Sequence, residues 1–109
     1  MRQALTFVLE RLRPVSSLFD TEPLEVAWAE VAILFVQIHE SRSVGDFTVT
    51  PQLSADGINW VDEGTEWVFP IEPGVQYLRL RDFGGWLRFR CALPDSAETT
   101  LTIQIQLKE

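Results

Sequence analysis

Cysteine and histidine are almost missing from this sequence, and each scarcity removes a class of chemistry. The 109 residues hold one cysteine, Cys91, and one histidine, His39. A lone cysteine excludes an intramolecular disulfide. A lone histidine with no cysteine or spaced carboxylates beside it provides no metal-ligand set. His39 is therefore expected to be an ordinary hydrogen-bonded residue at a strand end. Cys91 alternates with Arg90 and Ala92, the position of a small inward-facing hydrophobe with an unreactive thiol.

Long apolar runs are absent too. Residues 31–36 form the most apolar stretch, far short of the roughly 20 residues a membrane helix needs. The first apolar stretch, residues 5–9, is followed at once by Glu10, Arg11 and Arg13, which does not fit a secretory signal. The expectation is a soluble chain made in the cytoplasm, without membrane insertion. Glycine-rich phosphate loops and a Gly-x-Ser-x-Gly elbow are also missing. Asp56, Asp62, Glu63 and Glu66 lie close together in sequence, and paired carboxylates can hydrolyse glycosides, but acids this dense in turns read as a solvated rim. The chain is expected to be no enzyme, with no catalytic residue, metal or cofactor.

What is present describes one globular domain spanning residues 1–109. Hydrophobic residues make up 46% and charged residues 23%, enough to enclose a core and too apolar for disorder. The net charge of −7 sets up a field that repels nucleic acid.

Alternation marks the strands. Leu101, Ile103, Ile105 and Leu107 alternate with Thr102, Gln104 and Gln106, predicting a half-buried strand. Leu5, Phe7 and Leu9 repeat the pattern, as do Leu24, Val26 and Trp28. Residues 31–39 read as a central strand covered on both faces; a helix over 24–38 competes, favoured by Glu25, Ala27, Ala29, Glu30 and Ala32. After a polar loop at 40–46, Phe47, Val49, Pro51 and Leu53 alternate, the proline implying an edge or a bulge. Further strands are predicted at 66–69, 75–81 and 86–93, with turn signals at Pro70, Pro73-Gly74, Asp82-Phe83-Gly84-Gly85 and Pro94-Asp95-Ser96. Eight or nine short strands with regular turns predict an all-β antiparallel sandwich of jelly-roll type.

Two features carry functional expectations. In Ser54-Ala55-Asp56-Gly57-Ile58-Asn59-Trp60, a hydroxyl and a carboxylate can tie down the turn while Trp60 folds back onto the sheet. The Asp-Gly pair predicts a type I′ hairpin whose return strand begins at Ile58 and Trp60. The second feature is a cationic and aromatic stripe: with Leu78 and Leu80 inward, Tyr77, Arg79 and Arg81 share the outer face, and with Leu87, Phe89, Cys91 and Leu93 inward, so do Trp86, Arg88 and Arg90. Four of the nine basic residues then lie on one hairpin face. They then either pair within the sheet with Glu10, Glu25 or Glu66, or meet an acidic patch of Asp56, Asp62, Glu63 and Glu66 on another copy. Of Trp60 and Trp67, at least one is expected in the core.

The hairpin segment resembles the S-x-D-G-x-N-W turn of discoidin-like domains and of small β-sandwich structural proteins of tailed bacteriophages, and is similar to a shortened sialidase Asp-box. The order of an N-terminal strand, an apolar central strand, the hairpin, an arginine-bearing stretch and a Thr/Gln-alternating final strand resembles the phage proteins along most of the chain. The discoidin likeness stops at the hairpin, since that family is longer and bracketed by cysteines. The phage resemblance implies a homo-oligomeric decoration or head-tail accessory subunit, virion-associated and docking on a larger protein shell. The alternative is a carbohydrate-binding module in which Trp60, Trp67, Tyr77 and Trp86 stack on a glycan.

Overall fold

The computed structural model describes residues 4–15, 17–41, 45–94 and 99–109. Ten strands are formed: β1 (Ala4–Val15), β2 (Leu18–Asp20), β3 (Leu24–Glu25), β4 (Val31–Ser41), β5 (Asp46–Ser54), β6 (Val61–Asp62), β7 (Trp67–Pro70), β8 (Gly74–Arg81), β9 (Trp86–Ala92) and β10 (Thr99–Lys108). No helix occurs among the described residues, so the helical alternative over 24–38 is excluded.

The strands form two antiparallel sheets. Sheet A has the order β1-β10-β4-β8 and sheet B the order β2-β9-β5-β6, with β3 also pairing β9 and β7 also pairing β5. The chain passes from one sheet to the other between β1 and β2, β3 and β4, β4 and β5, β7 and β8, β8 and β9, and β9 and β10. That path is a jelly roll. Ten strands fill eight places because two sheet B positions are each split into two short pieces.

The core lies between the sheets and follows the period of two. Ala32, Leu34, Val36 and Ile38 of β4 and Leu101, Ile103, Ile105 and Leu107 of β10 face Phe47 and Val49 of β5 and Leu87, Phe89 and Cys91 of β9. All are buried, and fully burying each valine, leucine, isoleucine or phenylalanine among them contributes about 1.5–3 kcal/mol. Cys91 and the predicted inward residues of β9 and β10 therefore sit where alternation places them.

Several local expectations change. Residues 31–39 are not covered on both faces: Val31, Ile33, Phe35 and His39 are only half-buried. His39 accompanies a register shift between Thr100 and Leu101, and its Nε2 lies 2.8 Å from Thr102 Oγ1. The strand expected over 24–28 is paired only at Leu24 and Glu25, after which Val26 N–H donates to Gly85 O and the chain turns. Strand β2 carries no alternation signal and exists by pairing Leu18, Phe19 and Asp20 with β9.

Pro51 lies in an inner strand rather than at an edge. Its carbonyl accepts from Glu63 N–H (2.9 Å), so its nitrogen also points to the β6–β7 side, where β7 pairs only up to Val49 and β6 begins at Gln52. The missing donor thus falls in the gap between two short strands, a local edge inside the sheet. Residues 42–44 of the polar loop and Asp95 and Ser96 of the last turn signal lie outside the described residues.

Candidate functional site

The arginine and aromatic stripe is not one surface. Strands β8 and β9 belong to different sheets, so residues 82–85 form a crossover and not a hairpin turn. Tyr77, Arg79 and Arg81 stand at the exposed border of sheet A, while Trp86, Arg88 and Arg90 lie on the outer face of sheet B.

On sheet B the arginines are already engaged. Arg88 Nε donates to Gln52 Oε1 (2.7 Å), and Gln52 Nε2 donates to Asp62 Oδ1 (2.9 Å). These residues lie in register across β9, β5 and β6. The Arg88 guanidinium sits 4.4 Å from the centroid of the Trp60 ring, a cation–π stack. Arg90 pairs with Asp20 through two hydrogen bonds, Nε to Oδ1 (2.9 Å) and a terminal nitrogen to Oδ2 (3.2 Å). Hydrogen bonding from Arg90 holds the Asp20 carboxyl below its ordinary range. The bonds therefore run within the sheet, as one of the two readings expects, but to Asp20 and Gln52 in place of Glu10, Glu25 or Glu66.

The Ser54–Trp60 segment is a closed loop in place of a two-residue turn. A type I′ turn needs positive φ at both central residues, and here Gly57 has φ 78° while Asp56 is not in that region. Pairing resumes only at Leu53 with Val61, and the return strand does not start at Ile58. Ser54 Oγ accepts from Gly57 N–H (2.8 Å) and Asp56 N–H (3.2 Å) and donates to Asp56 Oδ1 (2.9 Å). Asp56 Oδ1 accepts from Ile58 and Asn59 N–H, and Oδ2 from the Asn59 side-chain amide, each at 2.8 Å. The motif's residues build the loop, Gly57 lies against the Trp86 ring, and Trp60 folds back onto Arg88.

This loop makes a prediction about acid. Donation from Asn59 N–H first, then Ile58 N–H, the Asn59 amide and the Ser54 hydroxyl, holds the Asp56 carboxyl well below the usual carboxylate range. A carboxyl depressed by folding contributes stability that is complete above its unfolded value, about 3.9, and is lost as pH falls through the lower folded value. The Ile58 and Asn59 amide resonances are therefore expected to stay constant from neutral pH to about pH 4 and to move only below it. A midpoint at the ordinary aspartate value would show that the carboxylate does not hold the loop.

The four acids expected to act as one patch are not all available together. Asp56 is consumed in its loop, Asp62 faces Gln52, and Glu63 accepts from the Thr65 hydroxyl (3.1 Å) with its second carboxylate oxygen buried and unpartnered. Glu66 is exposed. No group of three histidines, cysteines or carboxylates is placed to hold a metal among the described residues. Trp67 packs on the core, its ring 4.6 Å from that of Phe69, and is the core member of the Trp60 and Trp67 pair.

The surface that sequence reasoning missed is the outer face of sheet A. Register places Val8, Gln104, Phe35 and Tyr77 in one row across all four strands, followed by Thr6, Gln106, Ile33 and Arg79, and then by Ala4, Lys108, Val31 and Arg81. Phe35 and Tyr77 rings meet at 6.4 Å. The segments supplying these rows, 4–8, 102–108, 31–37 and 75–81, contain no aspartate or glutamate, although the chain has 16 acids. No described carboxylate forms an ion pair with Arg79 or Arg81. The face is apolar along β4 and β8, polar along β10 through Gln104 and Gln106, and cationic at one end. The signal in the sequence is the apolar outward set Val31, Ile33 and Phe35, which double-sided burial does not explain.

No family model matches the sequence, and no curated protein matches it. Among solved structures the chain is similar to the crystal structure of Yersinia pseudotuberculosis-derived mitogen, at a TM-score of 0.42 and 14% identity, covering 98% of this chain and 85% of that one. A likeness that distant leaves the function of this jelly roll to be read from its own surfaces.

Proposed function

We propose that the protein is a non-catalytic assembly subunit that associates with further copies of itself and docks on a larger protein shell. The observation that carries this reading is the acid-free part of the outer face of sheet A formed by residues 4–8, 31–37, 75–81 and 102–108, where Val8, Val75 and Tyr77 are exposed and Val31, Ile33 and Phe35 half-buried. Along β4 and β8 the apolar side chains Val31, Ile33, Phe35, Val75 and Tyr77 are neighbours on this face, and apolar surface of this kind marks interaction sites. Its cationic end, in a chain of net charge −7, suits an acidic protein surface. The decoration or head-tail accessory role in a virion extends this reading and rests on the sequence resemblance.

A glycan-binding role fits less well. Of the four rings that would stack on sugar, Trp67 packs on the core, Trp60 is stacked by Arg88 and Trp86 is covered on one side by Gly57. Only Tyr77 is exposed. Light-scattering mass across micromolar concentrations is the test: a multimer is expected, and a monomer throughout would overturn the assembly reading.

A further inference from the structure

The assembly reading, on which this inference rests, leaves open which surface joins one copy to the next. Each sheet has two edges, and the short connections between sheets fix which edges share a flank. Only residues 71–73 separate β7 from β8, so the β6–β7 edge of sheet B and the β8 edge of sheet A form one side of the sandwich. The link between β1 and β2 places those strands on the other.

The β8 half of the first flank presents Val75, Tyr77, Arg79 and Arg81, all exposed, and no described carboxylate pairs with either arginine. The β6–β7 half presents exposed Val61, Asp62, Glu66 and Val68. Strand β8 thus combines apolar side chains with the cationic Arg79 and Arg81 and the β6–β7 edge combines them with the anionic Asp62 and Glu66, exposed Glu72 lying in the connection between them and exposed Asp82 just beyond Arg81. The β1–β2 flank lacks this arrangement: Leu5, Phe7 and Leu18 are exposed there, but Asp20 and Arg90 already satisfy each other.

We infer that the β6–β7–β8 flank is a two-fold interface with a second copy of this chain, the cationic β8 edge of each copy facing the acidic β6–β7 edge of the other. A two-fold axis lying in the interface, parallel to the strands, sets sheet A of one copy opposite sheet B of the other, so both contacts form at once between unlike charges. An isologous interface requires one patch to complement itself, and a flank split into cationic and anionic halves does so. Apolar Val61, Val68, Val75 and Tyr77 supply the surface removed from water between the charges.

Two variants test this. Arg79→Glu with Arg81→Glu makes these two strand edges acidic throughout, and Asp62→Lys with Glu66→Arg makes them basic throughout. All these side chains are exposed, so both proteins should fold, which circular dichroism checks. Each alone should dissociate about tenfold or more readily than the parent. An equimolar mixture should recover the parent mass, because every contact is again between unlike charges. That recovery should weaken as salt rises. A multimeric parent whose mass is unaffected by either variant would overturn the flank while leaving assembly standing, and loss of association that mixing does not restore would also overturn it. A monomeric parent would overturn both readings.

Discussion

Phe47→Ala should lower the free energy of unfolding by about 3–5 kcal/mol, the usual cost of emptying a buried phenylalanine site. Phe47 is fully buried in β5. Its ring stacks on Phe69 at 5.1 Å and meets Phe19 edge-on at 6.5 Å, and Phe69 in turn meets Trp67. One side chain thus joins β2, β5 and β7. Against a total stability of about 5–15 kcal/mol, the variant should show a much lower urea midpoint or fail to fold. Phe35→Ala is the comparison, since its ring lies half-buried on the outer face of sheet A. If the two variants unfold at the same urea concentration, the division between core and outer face given above is wrong.

Gly57→Val should cost about 1–3 kcal/mol, from a left-handed conformation that β-branched residues do not tolerate. Gly57 has φ 78°, and an added Cβ would lie 3.2 and 3.3 Å from two indole carbons of Trp86. Gly64→Ala separates backbone strain from crowding, because Gly64 has φ 113° with nothing within 4 Å of its added Cβ. The valine variant should be the less stable of the two by thermal melting. Equal melting temperatures would mean that the loop does not rest on Trp86 in solution.

Legibility in the sequence followed the range of the forces involved. The alternation in β10 and β9 was readable because each residue's environment depends on its parity along the strand, and the inward set from Leu87 to Leu93 and from Leu101 to Leu107 is buried as expected. Strand β2 was invisible because only its pairing with β9 creates it. The arginine stripe was misassembled for the same reason. Each strand's outer face was read correctly, but which sheet a strand joins depends on partners far away in sequence, and β8 pairs with β4 while β9 pairs with β5. The loop chemistry of Ser54 and Asp56 was legible in kind, since hydroxyl and carboxylate caps act within a few residues. Its length was not, because seven residues close around Asp56 where an Asp-Gly pair suggests two.

The place of β10 in sheet A bears on how this domain is made. It is the last strand in the chain, yet it lies between β1 and β4, so during synthesis neither neighbour can complete its hydrogen bonding until residues 99–108 have left the ribosome. Until then both hold open long apolar edges, which are templates for pairing with other chains. Contacts that span nearly the whole chain also close slowly. The nascent domain is thus most prone to aggregation in the interval before residues 99–108 emerge, and shortening that interval by faster elongation, or shielding β1 and β4 with a chaperone during it, is what should raise the yield of folded protein.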